Sequence, residues 1–173
     1  FVNLWILMFN TLFFCLVQKT IAIYRLYTGP EKQIISKIDN LKSVISQAYN
    51  TGDIKPAIIQ VFSILHQSNE LFDEAKPWLW LKQLNQKDIS DDEKLKLQQQ
   101  IDTLMYIVAE VLRCSALAMY PIVPNKMITL LKYFGVTDHS KVRFEDLKFG
   151  AVGSEITLTE NSQVLFVKLE TNK

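Results

Sequence analysis

The stretch NELFDEAKPWLWLK, residues 69–82, combines the apolar spacing of an amphipathic helix with a proline near its centre. Pro77 has no N–H to donate, and its ring crowds the carbonyl four residues earlier, so the sequence predicts a helix that bends near Lys76-Pro77. Trp78 and Trp80 are two residues apart and therefore point to different faces of a helix. One tryptophan can belong to the core, which leaves the other available for binding.

Apolar residues at helical spacing continue from this stretch in both directions along the chain. A Ser-x-x-Glu capping box at Ser90–Glu93 and prolines at the starts of two segments mark where helices begin. These signals predict a second, a third, a fourth and a fifth helix, over residues 31–49, 54–84, 90–120 and 124–134.

The N-terminal segment, residues 1–18, carries no charge, and its length is at the short edge for a membrane span. No basic segment precedes it and no small-residue cleavage site ends it, which argues against a signal peptide. We predict a first helix over residues 4–27, stopped by Gly29-Pro30. We interpret this helix as the central helix of a bundle, with a membrane anchor as the alternative.

The C-terminal part of the sequence has a different character. The pattern of residues 136–150 indicates an irregular connection. The tail contains two short β-prone runs around Thr159–Ser162, which favour a hairpin. The predicted fold is therefore all-α, a bundle of about five helices with a short C-terminal β-hairpin-like tail.

Composition excludes several classes of function. The 19 Lys and Arg residues balance 18 Asp and Glu residues, so nucleic-acid binding would depend on a local patch or on stacking rather than on a broad basic field. The two histidines and two cysteines lack metal-ligand spacing, and no phosphate-binding glycine motif occurs. We expect no metal or cofactor in this chain. Cys15 and Cys114 are expected to be free thiols, and a bridge between them is the alternative.

Four segments of the sequence occur in an order that is typical of one family. They are LVQKT (16–20), the NELFDEAKPW part of the stretch (69–78), Arg113 with LAMYPIVPNKMITLLKYFGV (117–136), and LFVKLE (165–170). Together they resemble the Leu-Val-x-Arg-Thr, Asn-x-Tyr-x-x-x-x-Ala-Pro-Trp, Arg…PxxP and Leu-Phe-Pro-Arg-Ile/Leu motifs of the anticodon-binding domain of methionyl-tRNA synthetases. The resemblance covers most of the chain.

This resemblance implies an RNA-binding role for the stretch around Pro77. In the family, the tryptophan after the proline packs against the first anticodon base, which assigns stacking to Trp78 and a structural role to Trp80. Stacking of an unpaired base on an indole contributes about 1–3 kcal/mol. Asn69 is expected either to orient this site or to lie on a solvated helix face.

The sequence departs from the family at two positions of the first motif. The family has an Asn and an Arg that help to recognise the anticodon, where this chain has Cys15 and Lys19. Cys15 cannot supply the amide hydrogen bonds, and Lys19 keeps the charge without the guanidinium fork. Lys19 is expected to contact phosphate or base, or else to be a snorkelling lysine.

Residues 1–14 also fit the family poorly. We hypothesise that part of residues 1–18 is foreign sequence, such as a translated intron joined to the coding sequence near Lys19. The predicted organisation is an atypical apolar segment, a helical bundle and a C-terminal extension, over residues 1–18, 19–135 and 136–173.

The remaining polar residues near the stretch have simpler interpretations. Arg113 is expected to be a structural ion-pair or packing residue, and His66 is expected to be structural. Lys76 and Lys82 are expected on a solvated face. The acidic residues Glu70, Asp73 and Glu74 would repel phosphate, so an RNA path would have to avoid their face.

The resemblance implies that this chain supplies tRNA recognition to a methionine–tRNA ligase. The implied partners are the anticodon loop of tRNA(Met) and a Rossmann-type catalytic domain that is not in this sequence and that uses ATP and Mg. The short ending favours a monomeric enzyme of the mitochondrial matrix, with the cytoplasm as the alternative. Two other interpretations are the anticodon-binding domain of a valine, leucine, isoleucine or cysteine synthetase, and a membrane-anchored helical interaction module.

Overall fold

The computed structural model describes residues 20–22, 27–86, 88–151 and 155–157. Within these residues the chain is mostly helical, which confirms the predicted all-α class in its coarse form. Two single turns of 3-10 helix follow the last α-helix, at His139–Lys141 and Phe144–Asp146. The elements are β1 (Thr20–Ala22), α1 (Gly29–Thr51), α2 (Lys55–Ala75), α3 (Pro77–Leu84), α4 (Asp91–Met119), α5 (Pro124–Lys132) and β2 (Glu155–Thr157).

Helices α1 and α2 form an antiparallel hairpin. Thr28 caps α1 through a reciprocal box with Glu31, and Gly52 ends it with φ of 74°, a left-handed conformation that favours glycine. The turn folds α2 back so that Lys37 Nζ donates to Ser63 Oγ at 3.1 Å. The two helices face each other with the apolar residues that the sequence periodicity identifies, among them Ile34, Ile38, Leu41, Ile45, Ala57, Val61, Ile64 and Leu65.

Helix α4 is the centre of the bundle. Every residue from Ile101 to Ala118 is buried, so this half of the helix is enclosed on all sides. The predicted capping box is confirmed, because Ser90 Oγ accepts from Glu93 N at 3.3 Å and Ser90 N donates to the Glu93 carboxylate at 3.2 Å. The helix ends at Met119, two residues before Pro121.

The predicted first helix over residues 4–27 is wrong where the structure describes it. Thr20–Ala22 is a strand that pairs antiparallel with β2, with Thr20 opposite Thr157 and Ile21 opposite Ile156. A distant strand therefore overrides the local helical pattern. Gly29-Pro30 starts α1 instead of ending an earlier helix, since proline is tolerated in a first turn.

The predicted third helix over residues 54–84 is two helices. The bend near Lys76-Pro77 is confirmed, but continuity through it is wrong, because α2 ends at Ala75 and α3 begins at Pro77. Lys76 adopts φ of 49° and ψ of 56°, which a non-glycine residue rarely does. The proline breaks the hydrogen-bond ladder, and the left-handed residue then redirects the chain.

Other sequence predictions fall outside the described residues. These are the segment before Thr20, including Cys15 and Lys19, and the hairpin predicted around Thr159–Ser162. Among the helices that the structure does describe, none has the length and apolar character needed to cross a membrane.

Candidate nucleic-acid interface

Trp78 lies on the surface in the first turn of α3. Its side chain is 46% exposed, whereas Pro77 before it is buried and Trp80 after it is partly buried against the core. The left-handed Lys76 makes this possible, because it starts α3 in a new direction and lets the proline enter the interior while the next side chain faces out. The structure thus separates the two tryptophans into one surface residue and one packing residue, as the sequence predicts.

The Trp78 ring is supported from one side by an aromatic residue of the core. Its centroid is 6.2 Å from that of Phe72, and the two planes are tilted by 54°. Phe72 is 4% exposed and sits in the last turn of α2. A tilted aromatic neighbour at this distance contacts the indole and leaves about half of the residue exposed. A planar ligand could therefore stack on the exposed part of the ring.

Polar side chains lie on the buried side of α2 next to Phe72. Asn69 is 8% exposed, so it is not on a solvated face, and its position three residues before Phe72 puts the two side chains side by side. No residue that the structure describes forms a hydrogen bond with the Asn69 amide. The Ser68 hydroxyl and the Gln67 side-chain oxygen are likewise buried with no partner in the described part of the chain. The interior next to Phe72 therefore contains polar atoms whose hydrogen-bonding capacity is not used by the described residues.

The charges around Trp78 are mixed. Lys76 and Lys82 are exposed on either side of it in sequence, as predicted. Glu70 and Glu74 are exposed one turn apart on α2, and Glu70 pairs with His66 at 3.3 Å. His66 is thus a surface residue rather than a core one. A surface of this composition would bind RNA by stacking and hydrogen bonding more than by net charge.

Arg113, another polar residue that the sequence analysis considers, is buried in the interior. Its side chain is 2% exposed and forms a bidentate ion pair with Glu110, with nitrogen–oxygen distances of 2.6 and 2.8 Å. The guanidinium also donates to the carbonyls of Asp146 and Lys148, at 2.8 and 2.7 Å. The structural interpretation of Arg113 is confirmed.

Burial shifts the titration of the groups around this pair. Burial alone would lower the pKa of Arg113, but the hydrogen bonds and charge of Glu110 outweigh it and raise that pKa. Desolvation raises the pKa of the Cys114 thiol to about 12 and also raises the pKa of Tyr106. Cys114 is buried and free, as expected, and these groups remain uncharged at neutral pH except for the ion pair.

Three features of the region are not apparent from the sequence reasoning. The sequence does not show that Phe72 contacts the Trp78 ring. Leu79 is 48% exposed beside Trp78, which widens the apolar surface. Glu110 is missed as the partner of Arg113, although a spacing of three residues on a helix is a signal for such a pair.

The fold occurs in an aminoacyl-tRNA synthetase. The solved structure of free Mycobacterium tuberculosis methionyl-tRNA synthetase is similar to this chain with a TM-score of 0.66 and 18% identity, over 88% of this chain and 28% of that one. At this identity the likeness shows the fold alone. No protein-family model matches the chain.

The proteins that are similar to this chain in sequence identify the kind of aminoacyl-tRNA synthetase. The methionine–tRNA ligase of Caldanaerobacter subterraneus subsp. tengcongensis is 24% identical over 143 residues, 83% of this chain and 20% of the relative. The mitochondrial methionine–tRNA ligase of Candida albicans is 23% identical over 145 residues, 78% of this chain and 25% of the relative. The chain therefore spans about a fifth to a quarter of the length of the curated relatives it matches.

The homologues of this chain are methionyl-tRNA synthetases, and the chain corresponds to one region of them. This confirms the family resemblance that the sequence motifs indicate. Both bacterial and mitochondrial ligases are among the relatives.

Proposed function

We propose that this chain is the anticodon-binding region of a methionine–tRNA ligase and that Trp78 stacks on a base of the tRNA(Met) anticodon loop. The observation that carries the proposal is the half-exposed, ring-supported indole at the α2–α3 break. Residues 19–135 would form the binding bundle, and residues 136–173 an extension that packs onto it. Asn69 would orient the site, and Lys19 and Cys15 would contribute from the segment before β1.

The parent enzyme would join methionine to its tRNA, with ATP and Mg²⁺ acting in a separate catalytic domain. This chain would select the tRNA and leave the chemistry to that domain. We propose a monomeric ligase of the mitochondrial matrix, and a cytoplasmic ligase is the alternative. The mitochondrial ligases among the relatives support the first location.

The test compares two exposed neighbours on α3. Trp78→Ala in the 173-residue chain should weaken binding of a methionine anticodon stem-loop by about 1–3 kcal/mol, the free energy of one base stack. Leu79→Ala is the matched control, since it removes a similarly exposed apolar side chain that has no ring. Trp78→Tyr should retain most of the affinity, because a phenol ring also stacks.

Equal affinity of the unmodified chain and Trp78→Ala would refute the proposal. A valine anticodon stem-loop that bound as tightly as the methionine one would favour another class I synthetase. Because stacking is not ionic, Trp78→Ala should leave the salt dependence of binding nearly unchanged.

A further inference from the structure

Lys76 occupies a kind of backbone position that this protein otherwise gives to glycine. Within the described residues, the other residues with a positive φ are Gly52, Gly135 and Gly150. Gly52 offers a direct comparison, because it ends α1 in the way that Lys76 ends α2. In each case the N–H of the left-handed residue donates to a carbonyl of the preceding turn, at 3.4 Å for Gly52 and at 3.1 Å for Lys76. Glycine would meet the same structural need at position 76 without steric strain.

The side chain of Lys76 does not stabilise the part of the chain that the structure describes. It is exposed, and its ammonium group forms no ion pair or hydrogen bond with a described residue. Lys94, by contrast, pairs with Asp91 three residues earlier, at 3.4 Å. Asp73 stands three residues before Lys76, but the left-handed turn takes Lys76 out of the helical path on which such pairs form. Strained residues without such a structural return are concentrated at binding sites.

Lys76 and Trp78 flank the buried Pro77, and both are exposed to solvent. Their Cα atoms are at most roughly 7 Å apart, because two residues of extended chain span no more than that. The Lys76 carbonyl accepts from Leu79 N at 2.8 Å, which ties Lys76 to the first turn of α3. The long, flexible side chain of Lys76 is therefore within reach of the backbone of a nucleotide whose base stacks on Trp78.

The charges at the end of α2 give a cation at position 76 a specific use. Glu70, Asp73 and Glu74 are exposed on the last two turns of α2, and they would repel a phosphate. Lys76 lies between this acidic run and Trp78. A phosphate could contact its ammonium group without displacing a carboxylate, since no described carboxylate pairs with it.

We propose that Lys76 binds a backbone phosphate of the anticodon loop, beside the base that stacks on Trp78. The ammonium group donates a charge-assisted hydrogen bond to a phosphate oxygen. The stack holds the base and Lys76 holds the backbone next to it, so the two contacts together fix the position of the loop on α3. This inference rests on the proposed function and adds to it a second contact of a different physical kind. It also explains why a strained lysine stands where glycine would be unstrained.

Three variants at position 76 separate the charge from the backbone conformation. In the 173-residue chain, Lys76→Ala removes the charge and retains the strain, Lys76→Gly removes both, and Lys76→Arg retains both. The salt slope of stem-loop binding should fall by roughly 0.7 in the alanine and glycine variants, because one phosphate contact is lost, and it should be unchanged in the arginine variant. Lys76→Gly should bind as weakly as Lys76→Ala, although its backbone is unstrained.

Lys55→Ala is the matched control for the loss of a charge. Lys55 is also an exposed lysine, and it lies at the opposite end of α2, about 30 Å away at 1.5 Å per helical residue. Its replacement should leave the salt slope unchanged. Stem-loops that each carry one neutral methylphosphonate linkage then locate the contact. One such linkage in the loop should weaken binding to the unmodified chain and have no effect on binding to Lys76→Ala.

An unchanged salt slope in Lys76→Ala and Lys76→Gly would overturn this inference. So would neutral linkages that weaken the unmodified chain and Lys76→Ala equally at every position of the loop. In both cases a Trp78→Ala defect would still support the proposed function. A Trp78→Ala variant with normal affinity would instead refute the proposed function itself.

Discussion

Trp78 and Arg113 both reverse the usual distribution of side chains, since one is an exposed indole and the other a buried charge. The protein itself accounts for Arg113, because Glu110 and backbone carbonyls satisfy the guanidinium. Nothing of that kind accounts for the exposed half of Trp78, whose described ring contact is with Phe72 on one side. The buried charge therefore belongs to the architecture, whereas the half-exposed ring is the residue to which our proposal assigns recognition.

The largest expected effect is on the Arg113 side of this comparison. Arg113→Ala should reduce the free energy of unfolding by about 3–5 kcal/mol, because Glu110 would remain buried without its partner. Denaturant unfolding measures the change. Replacing both residues, by Arg113→Met with Glu110→Leu, should cost much less, since no uncompensated charge remains. A single variant as stable as the unmodified chain would show that the pair is not structural.

The same comparison can be made between the two tryptophans of α3, one packed against the core and one exposed. Trp80→Ala should destabilise the fold by about 2 kcal/mol, because it removes a ring that packs against the core. Trp78→Ala should change stability by less than about 1 kcal/mol while it weakens stem-loop binding. Thermal and denaturant unfolding of both variants measure the change in the free energy of unfolding. If Trp78→Ala were the more destabilising change, the indole would be structural after all.

Much of the helical fold follows from local pattern. The inward faces of α1 and α2, including Ile38, Leu41 and Ile64, appear in the sequence as a 3.6-residue period and are buried in the structure. The capping box at Ser90 and the bend at Pro77 follow from single residues with defined local chemistry. Such features need no knowledge of the rest of the chain.

The parts that escaped prediction depend on distant partners. Thr20–Ala22 has a helical pattern locally and becomes a strand because β2, near the other end of the chain, pairs with it. The support of Trp78 by Phe72 depends on the direction that the left-handed Lys76 gives to α3. A proline predicts that a helix is disturbed but does not specify the conformation of the residue before it.

The backbone at Lys76 provides a smaller test. A left-handed conformation, as at Lys76, destabilises a non-glycine residue by roughly 1–2 kcal/mol. Glycine removes this strain, but its greater conformational freedom in the unfolded chain offsets part of the gain. Lys76→Gly should therefore raise the free energy of unfolding by about 0.5–1 kcal/mol. Lys76→Ala is the matched control, because it removes the charged side chain and retains the strain. A gain with alanine as large as with glycine would locate the cost in the side chain instead.

The smallest effect concerns two carboxylates that each accept a hydrogen bond from a backbone N–H group. One of them is buried and the other is exposed. Glu110 is buried with Arg113, whereas Glu93 is exposed and is held by the Ser90 hydroxyl and backbone N–H. Hydrogen bonds from Ser90 lower the pKa of Glu93 below its usual value. A carboxyl group whose pKa is lower in the folded state stabilises the fold above its unfolded pKa and loses that contribution as the pH falls through the folded value.

The contribution of the Ser90–Glu93 cap to the free energy of unfolding should therefore decrease slightly in acid. Glu93→Gln should flatten that part of the pH dependence, because the amide does not titrate, while its oxygen can still accept from Ser90. Denaturant midpoints measured from neutral pH down through the carboxyl range would show the difference between the two chains. Parallel curves would mean that the Glu93 hydrogen bonds persist in the unfolded chain or contribute nothing to the stability of the fold.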